Sequence, residues 1–110
     1  MTTILIRKTS DGEYRGFTCM GHAGYAKGNQ PDILCAGISA LVTNTINSLE
    51  ELAGEKMNLV TNEETGFIKC DFKSSLQEKS TFLLDSMVFG LKTLSKDYGT
   101  KYLQVKFEEV

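Results

Sequence analysis

The residues able to do chemistry sit in one stretch, from Gly21-His22-Ala23 to Asp32-Ile33-Leu34-Cys35-Ala36. Thiol proteolysis requires a thiolate, a base close to it and hydrogen-bond donors for an oxyanion. Asp32 stands where the N-cap of a helix belongs, which puts Cys35 at the third helical position. The first turn of a helix carries unpaired N–H groups and a partial positive charge, a setting that favours the thiolate. The same N–H groups, those of Cys35 and Ala36, could cradle an oxyanion. Small residues follow (Ala36, Gly37, Ser39, Ala40) and leave space for a substrate backbone. The plainer alternative is a buried thiol acting as a small hydrophobe, because reactivity depends on exposure.

His22 is the single histidine of the chain, so any imidazole chemistry within one subunit must use it. It follows a predicted strand and is flanked by Gly21, Ala23 and Gly24, which argues against a ring packed into an apolar wall. As a base it would take the thiol proton and later protonate the leaving amine. Asp32 has two roles open to it: capping the helix, or orienting His22 as the third member of a triad. Ser39 lies one helical turn beyond Cys35, where it could bond the thiol or a substrate carbonyl, or serve only as a small packing residue. Cys19 alternates in phase with Phe17, and Cys70 with Ile68 and Phe72, so both read as core residues on strand faces. A zinc site would start from Cys19-x-x-His22 with Cys35 and Asp32, but no second close ligand pair exists, and no metal or cofactor is expected. A redox thiol protein would want a partner for Cys35, and no C-x-x-C is present.

These groups need elements to hold them. Residues 2–8 and 13–20 read as a hairpin around Ser10-Asp11-Gly12, and residues 57–62 and 66–72 as a second around Glu64-Thr65-Gly66. Residues 101–108 alternate as a last strand. A helix is predicted over 33–53, with Ile38, Leu41, Val42, Ile46, Leu49 and Leu52 at helical spacing and Gly54 as the stop. A second is predicted over 75–98, capped by Ser74 or Ser75, with Leu76, Phe82, Leu83, Met87, Leu91 and Leu94 as its apolar stripe and Gly99 as its end. The order is ββαββαβ. The expected fold is α+β, a mostly antiparallel sheet of about five strands with two helices packed on one face. Residues 23–31, which hold the only proline, form the most conspicuous loop and join His22 to Cys35.

The bulk numbers narrow the classes. At 110 residues the chain fits one domain, 1–110. Hydrophobic residues at 41% and charged residues at 24% indicate a soluble globular protein. A net charge of −2, with Lys and Arg dispersed, argues against direct nucleic-acid binding. No secretory h-region and no membrane-length apolar run is present, so a cytoplasmic protein with reduced thiols and no membrane partner is expected.

At Gly21-His22-Ala23, Asp32-Ile33-Leu34-Cys35-Ala36 and Ser39-Ala40-Leu41, the sequence resembles the ribosomal-processing cysteine proteases, the Prp family. The likeness extends over essentially the whole chain. It implies a homodimeric cysteine endopeptidase that removes the N-terminal extension of a large-subunit ribosomal protein, cleaving after an aromatic pair. It also implies His22 and Cys35 as the dyad, with Asp32, Ser39 and Gly21 in support. The loop bearing Gly24, Tyr25 and Gly28 is expected to be open without substrate and to close over it, with Tyr25 offering an aromatic surface. The competing reading is a non-catalytic module that captures an extended peptide during ribosome assembly, needing a groove but neither Cys35 nor His22.

Overall fold

The computed structural model describes residues 1–110. Seven elements follow in chain order: β1 (Thr2–Lys8), β2 (Tyr14–Met20), α1 (Ile33–Glu51), β3 (Met57–Asn62), β4 (Phe67–Phe72), α2 (Glu78–Tyr98) and β5 (Leu103–Glu109). The sheet order is β3-β4-β2-β1-β5. Every neighbouring pair is antiparallel except β1 and β5, which run parallel. The expected α+β architecture and element order are therefore those observed.

Strand alternation decides which face is covered. Ile4 pairs with Cys19 and Ile6 with Phe17, and Phe17 in turn pairs with Cys70, so these side chains form one apolar layer. Leu34, Ile38, Val42, Ile46 and Leu49 of α1 and Leu84, Met87, Val88 and Leu91 of α2 close over it as a single core. Each such fully buried side chain contributes roughly 1.5–3 kcal/mol by leaving water. The opposite face is polar: Arg7 donates to Thr18 Oγ1 at 2.6 Å and to Asp71 Oδ1 at 2.7 Å. Cys19 and Cys70 are buried as their phase requires.

Three helix details differ from the sequence pattern. The first helix ends at Glu51 rather than 53, leaving Leu52 as an exposed C-cap. The second starts at Glu78 rather than 75, and neither Ser74 nor Ser75 caps it. Its N-cap, Gln77, uses its side chain on Ala53 O at 2.7 Å, while Glu55 Oε2 accepts from Gln77 N at 3.1 Å. The capping carboxylate thus comes from a residue far back along the chain, which no local pattern reveals. The stripe also differs: Phe82 and Phe89, seven residues apart, share the solvent face, while Leu84, Met87, Val88 and Leu91 face the core.

Candidate active site

Strand β2 delivers His22 two residues beyond its end, and α1 presents Cys35 from its first turn. Both line one cleft of about 410 Å³, with Cys19, Ser39, Ile38 and Val42 on the sheet and helix side and Thr61, Asn62, Glu63, Gly66, Phe67 and Ile68 on the side of the second hairpin. Thr2, Gly21 and Thr43 complete the lining. Cys35 is half-buried and His22 exposed. The thiol expected to be reactive is therefore open to the cleft, while the other two thiols are buried.

Asp32 caps α1: its Oδ1 accepts from Cys35 N at 2.9 Å. Its Oδ2 accepts from Tyr25 N at 2.9 Å and from Ala26 N at 3.4 Å. One carboxylate thus ties the loop to the helix start. Burial pushes its pKa up, but the N–H groups of Cys35, Tyr25, Ala26 and Leu34 outweigh that and hold it below the usual carboxylate value. Asp32 makes no bond to His22. The histidine is held instead by the turn between β3 and β4, with its Nε2 2.9 Å from the carbonyl oxygen of Glu64. A carbonyl oxygen only accepts, so Nε2 carries a proton and Nδ1 is the nitrogen left to act as a base.

The expected oxyanion donors are not available. Cys35 N donates to Asp32 Oδ1 and Ala36 N donates to Asp32 O at 3.0 Å, so the cap and the first helical bond use both N–H groups. An N-cap that bonds the third helical position necessarily consumes that position's N–H. The loop also departs from expectation. The Tyr25 ring packs edge-on against Tyr98 and Tyr102, with centroids 5.0 and 5.1 Å away, and does not line the cleft. Gly24 and Gly28 are exposed and also lie outside the lining.

Gly21 is the crowded joint of the site. Its φ is +85°, and a Cβ there would fall 2.5 Å from Met1 O. Its carbonyl accepts from Thr2 Oγ1 at 3.2 Å. Gly66, φ +64°, approaches the same carbonyl: a Cβ would lie 2.6 Å from Gly21 O and 3.1 Å from His22 Cε1. Sequence reasoning placed Gly66 in a bend and missed its contact with the histidine; a glycine after an Asn-led turn was the one signal present.

Burial pushes the Cys19 thiol up to about 11, with the nearby Cys35 adding to it. Burial pushes Cys70 up to about 12, Asp71 adding and Arg7 opposing. Neither is activated. Although Cys19, His22 and Cys35 share the cleft, no three His, Cys, Asp or Glu side chains converge as metal ligands.

The arrangement has counterparts. The family model for cysteine protease Prp matches residues 1–104. The ribosomal processing cysteine protease Prp of Bacillus subtilis is 32% identical over 102 residues, which cover 89% of this chain and 90% of the relative. Its namesake in Staphylococcus aureus is 24% identical over 99 residues, covering 90% and 92% of the two chains. Among solved structures, that of an essential ribosomal processing protease Prp from S. aureus, with a covalently linked product peptide, superposes with a TM-score of 0.90 at 21% identity, over 98% of this chain and all of the other. With the family model spanning nearly the whole sequence, the chain belongs to the Prp family of cysteine proteases.

Proposed function

We propose that Cys35 is the nucleophile and His22 the base of a peptidase that removes the N-terminal extension of a large-subunit ribosomal protein after an aromatic pair. The observation that carries the dyad is that the sole histidine and the most exposed of the three thiols line the same cleft. The Cys35 thiol proton passes to His22, and the thiolate adds to the scissile carbonyl carbon. The imidazolium then protonates the departing amine, leaving a thioester. Water attacks the thioester with His22 again as base, which frees the acid product and the thiol. Ser39, exposed on the cleft wall, offers its hydroxyl to a substrate carbonyl.

The substrate reading is supported by the cleft's apolar side chains, Ile38, Val42, Phe67 and Ile68, which suit an aromatic residue. It is further supported by the substrate peptide bound to the S. aureus Prp, a structure with a TM-score of 0.86 to this one. Incubation with a peptide carrying a Phe-Phe extension tests it. Wild type cleaves after the second Phe and Cys35→Ala does not; equal cleavage by both would sink the thiol mechanism. His22→Ala retains peptide binding but is alkylated slowly by iodoacetamide, and an unchanged alkylation rate would remove His22 as the activating base.

A further inference from the structure

We propose that the turn joining β3 and β4 is the positioning element of the histidine, with the Glu64 carbonyl doing what a side-chain carboxylate or amide does in a triad and Gly66 allowing the approach. The inference rests on His22 being the base. His22 is exposed and has glycine on one side and alanine on the other, so neighbouring side chains do not fix its ring. Its one hydrogen bond is Nε2 to Glu64 O at 2.9 Å. Accepting at that oxygen keeps the proton on Nε2 and leaves the Nδ1 lone pair as the base. Asp32, for which the sequence left this role open beside capping, has both oxygens committed to backbone amides.

The carbonyl is aimed by a braced turn. Asn62 Oδ1 accepts from Glu64 N at 3.1 Å, and Gly66 N donates to Glu63 O at 3.3 Å. The sheet fixes where the turn lies. In the antiparallel ladder of β2 and β4, Cys19 faces Ile68, so His22 leaves one end of the ladder where Gly66 enters it. The backbones then meet with no room for a Cβ at Gly66, 2.6 Å from Gly21 O and 3.1 Å from His22 Cε1. A side chain there would drive the Glu64 carbonyl away from the ring.

The test compares Gly66→Ala with Gly12→Ala. Both place alanine at positive φ, +64° and +84°, but a Cβ at Gly12 meets nothing within 4 Å, so it controls for backbone strain alone. With a single histidine, the imidazole nitrogen NMR spectrum is unambiguous. At a pH where the ring is neutral, wild type and Gly12→Ala show the Nε2–H tautomer, and Gly66→Ala shows a mixture. On the Phe-Phe peptide, kcat of Gly66→Ala falls roughly 10- to 100-fold, part of what a positioned general base supplies. KM changes less than kcat, because the apolar cleft walls at Ile38, Val42, Phe67 and Ile68 are untouched, and Gly12→Ala matches wild type in both. An Nδ1–H tautomer in wild type overturns the proposal, and it decides the matter alone if Gly66→Ala does not fold. So does a Gly66→Ala enzyme with wild-type kcat and tautomer while His22→Ala is inactive. An active His22→Ala would instead defeat the dyad reading and leave the tautomer result standing.

Discussion

Replacing Asp32 separates the two jobs its carboxylate performs. Asparagine keeps the Oδ1 that accepts from Cys35 N, and Asn is as good an N-cap as Asp. Its amide N–H₂, however, would face the N–H groups of Tyr25 and Ala26, donor against donor. Alanine loses both jobs. Loss of the cap costs about 1 kcal/mol. The loop bonds to a charged acceptor are worth about 1.5 kcal/mol, the low end for such bonds, because Asp32 is partly exposed and the second bond is long at 3.4 Å. For a chain of 110 residues, an unfolding entropy of about 2.1 cal/mol/K per residue makes 1 kcal/mol worth roughly 4 °C in Tm. Thermal melts should therefore place Asp32→Asn about 6 °C and Asp32→Ala about 11 °C below wild type. The pH dependence has a fixed sign. The folded-state pKa is depressed, so the carboxylate's contribution is complete above the ordinary carboxylate pKa of about 3.9 and is lost as pH falls through the lower folded value. The gap between wild type and Asp32→Asn should narrow on acidification. An Asp32→Asn protein melting with wild type at neutral pH would show that the loop bonds contribute nothing. One melting with Asp32→Ala would show that the cap does not operate.

Three further outcomes follow from the same geometry. At neutral pH iodoacetamide should modify Cys35 quickly and leave Cys19 and Cys70 intact until urea unfolds the chain, since burial both covers those thiols and raises their pKa to about 11 and about 12; intact-mass spectra showing two fast additions would contradict this. Tyr25→Ala removes two edge-on aromatic contacts and should speed hydrogen exchange in residues 24–31 at least tenfold, while leaving the core amides of β1 unchanged; a protected loop would mean that Asp32 alone holds it. Gly21→Ala brings a Cβ to 2.5 Å from Met1 O at positive φ, and should cost about 2 kcal/mol or more in urea denaturation; a loss below about 0.5 kcal/mol would show that the chain start moves aside freely.

Elements with a strong local period were legible in the sequence, and those set by distant partners were not. Strand alternation put Cys19 with Phe17 and Cys70 with Ile68, and the ladder pairs them as that phase requires. Asp32 announced the start of α1 because an N-cap needs only its own helix. The start of α2 differs from the pattern because its N-cap, Gln77, is held by Glu55, 22 residues earlier and on the far side of the whole second hairpin. Phe82 lies about 180° around α2 from Leu91 and so faces solvent, whereas its hydrophobicity alone placed it in the stripe.

The site divides along the same line. The proposed dyad, Cys35 and His22, stands out in the sequence because its chemistry resides in side chains, which a sequence displays. What supports them here is main chain: the Glu64 carbonyl on His22, the Gly21 carbonyl beneath Gly66, and the N–H groups that Asp32 gathers. Every residue type supplies a carbonyl, so its identity at 64 carries no signal, and only the glycines that permit close approach leave a trace. That also explains why Asp32 stood as the one carboxylate that could orient His22 as well as cap the helix: it lies close in sequence to the proposed dyad, whereas the acceptor that reaches the imidazole lies 42 residues from it along the chain. The β2–β4 ladder fixes where that acceptor lies, so on the proposed reading the orientation of His22 is a property of the sheet. Substitutions that shift that register should impair the histidine before they unfold the domain.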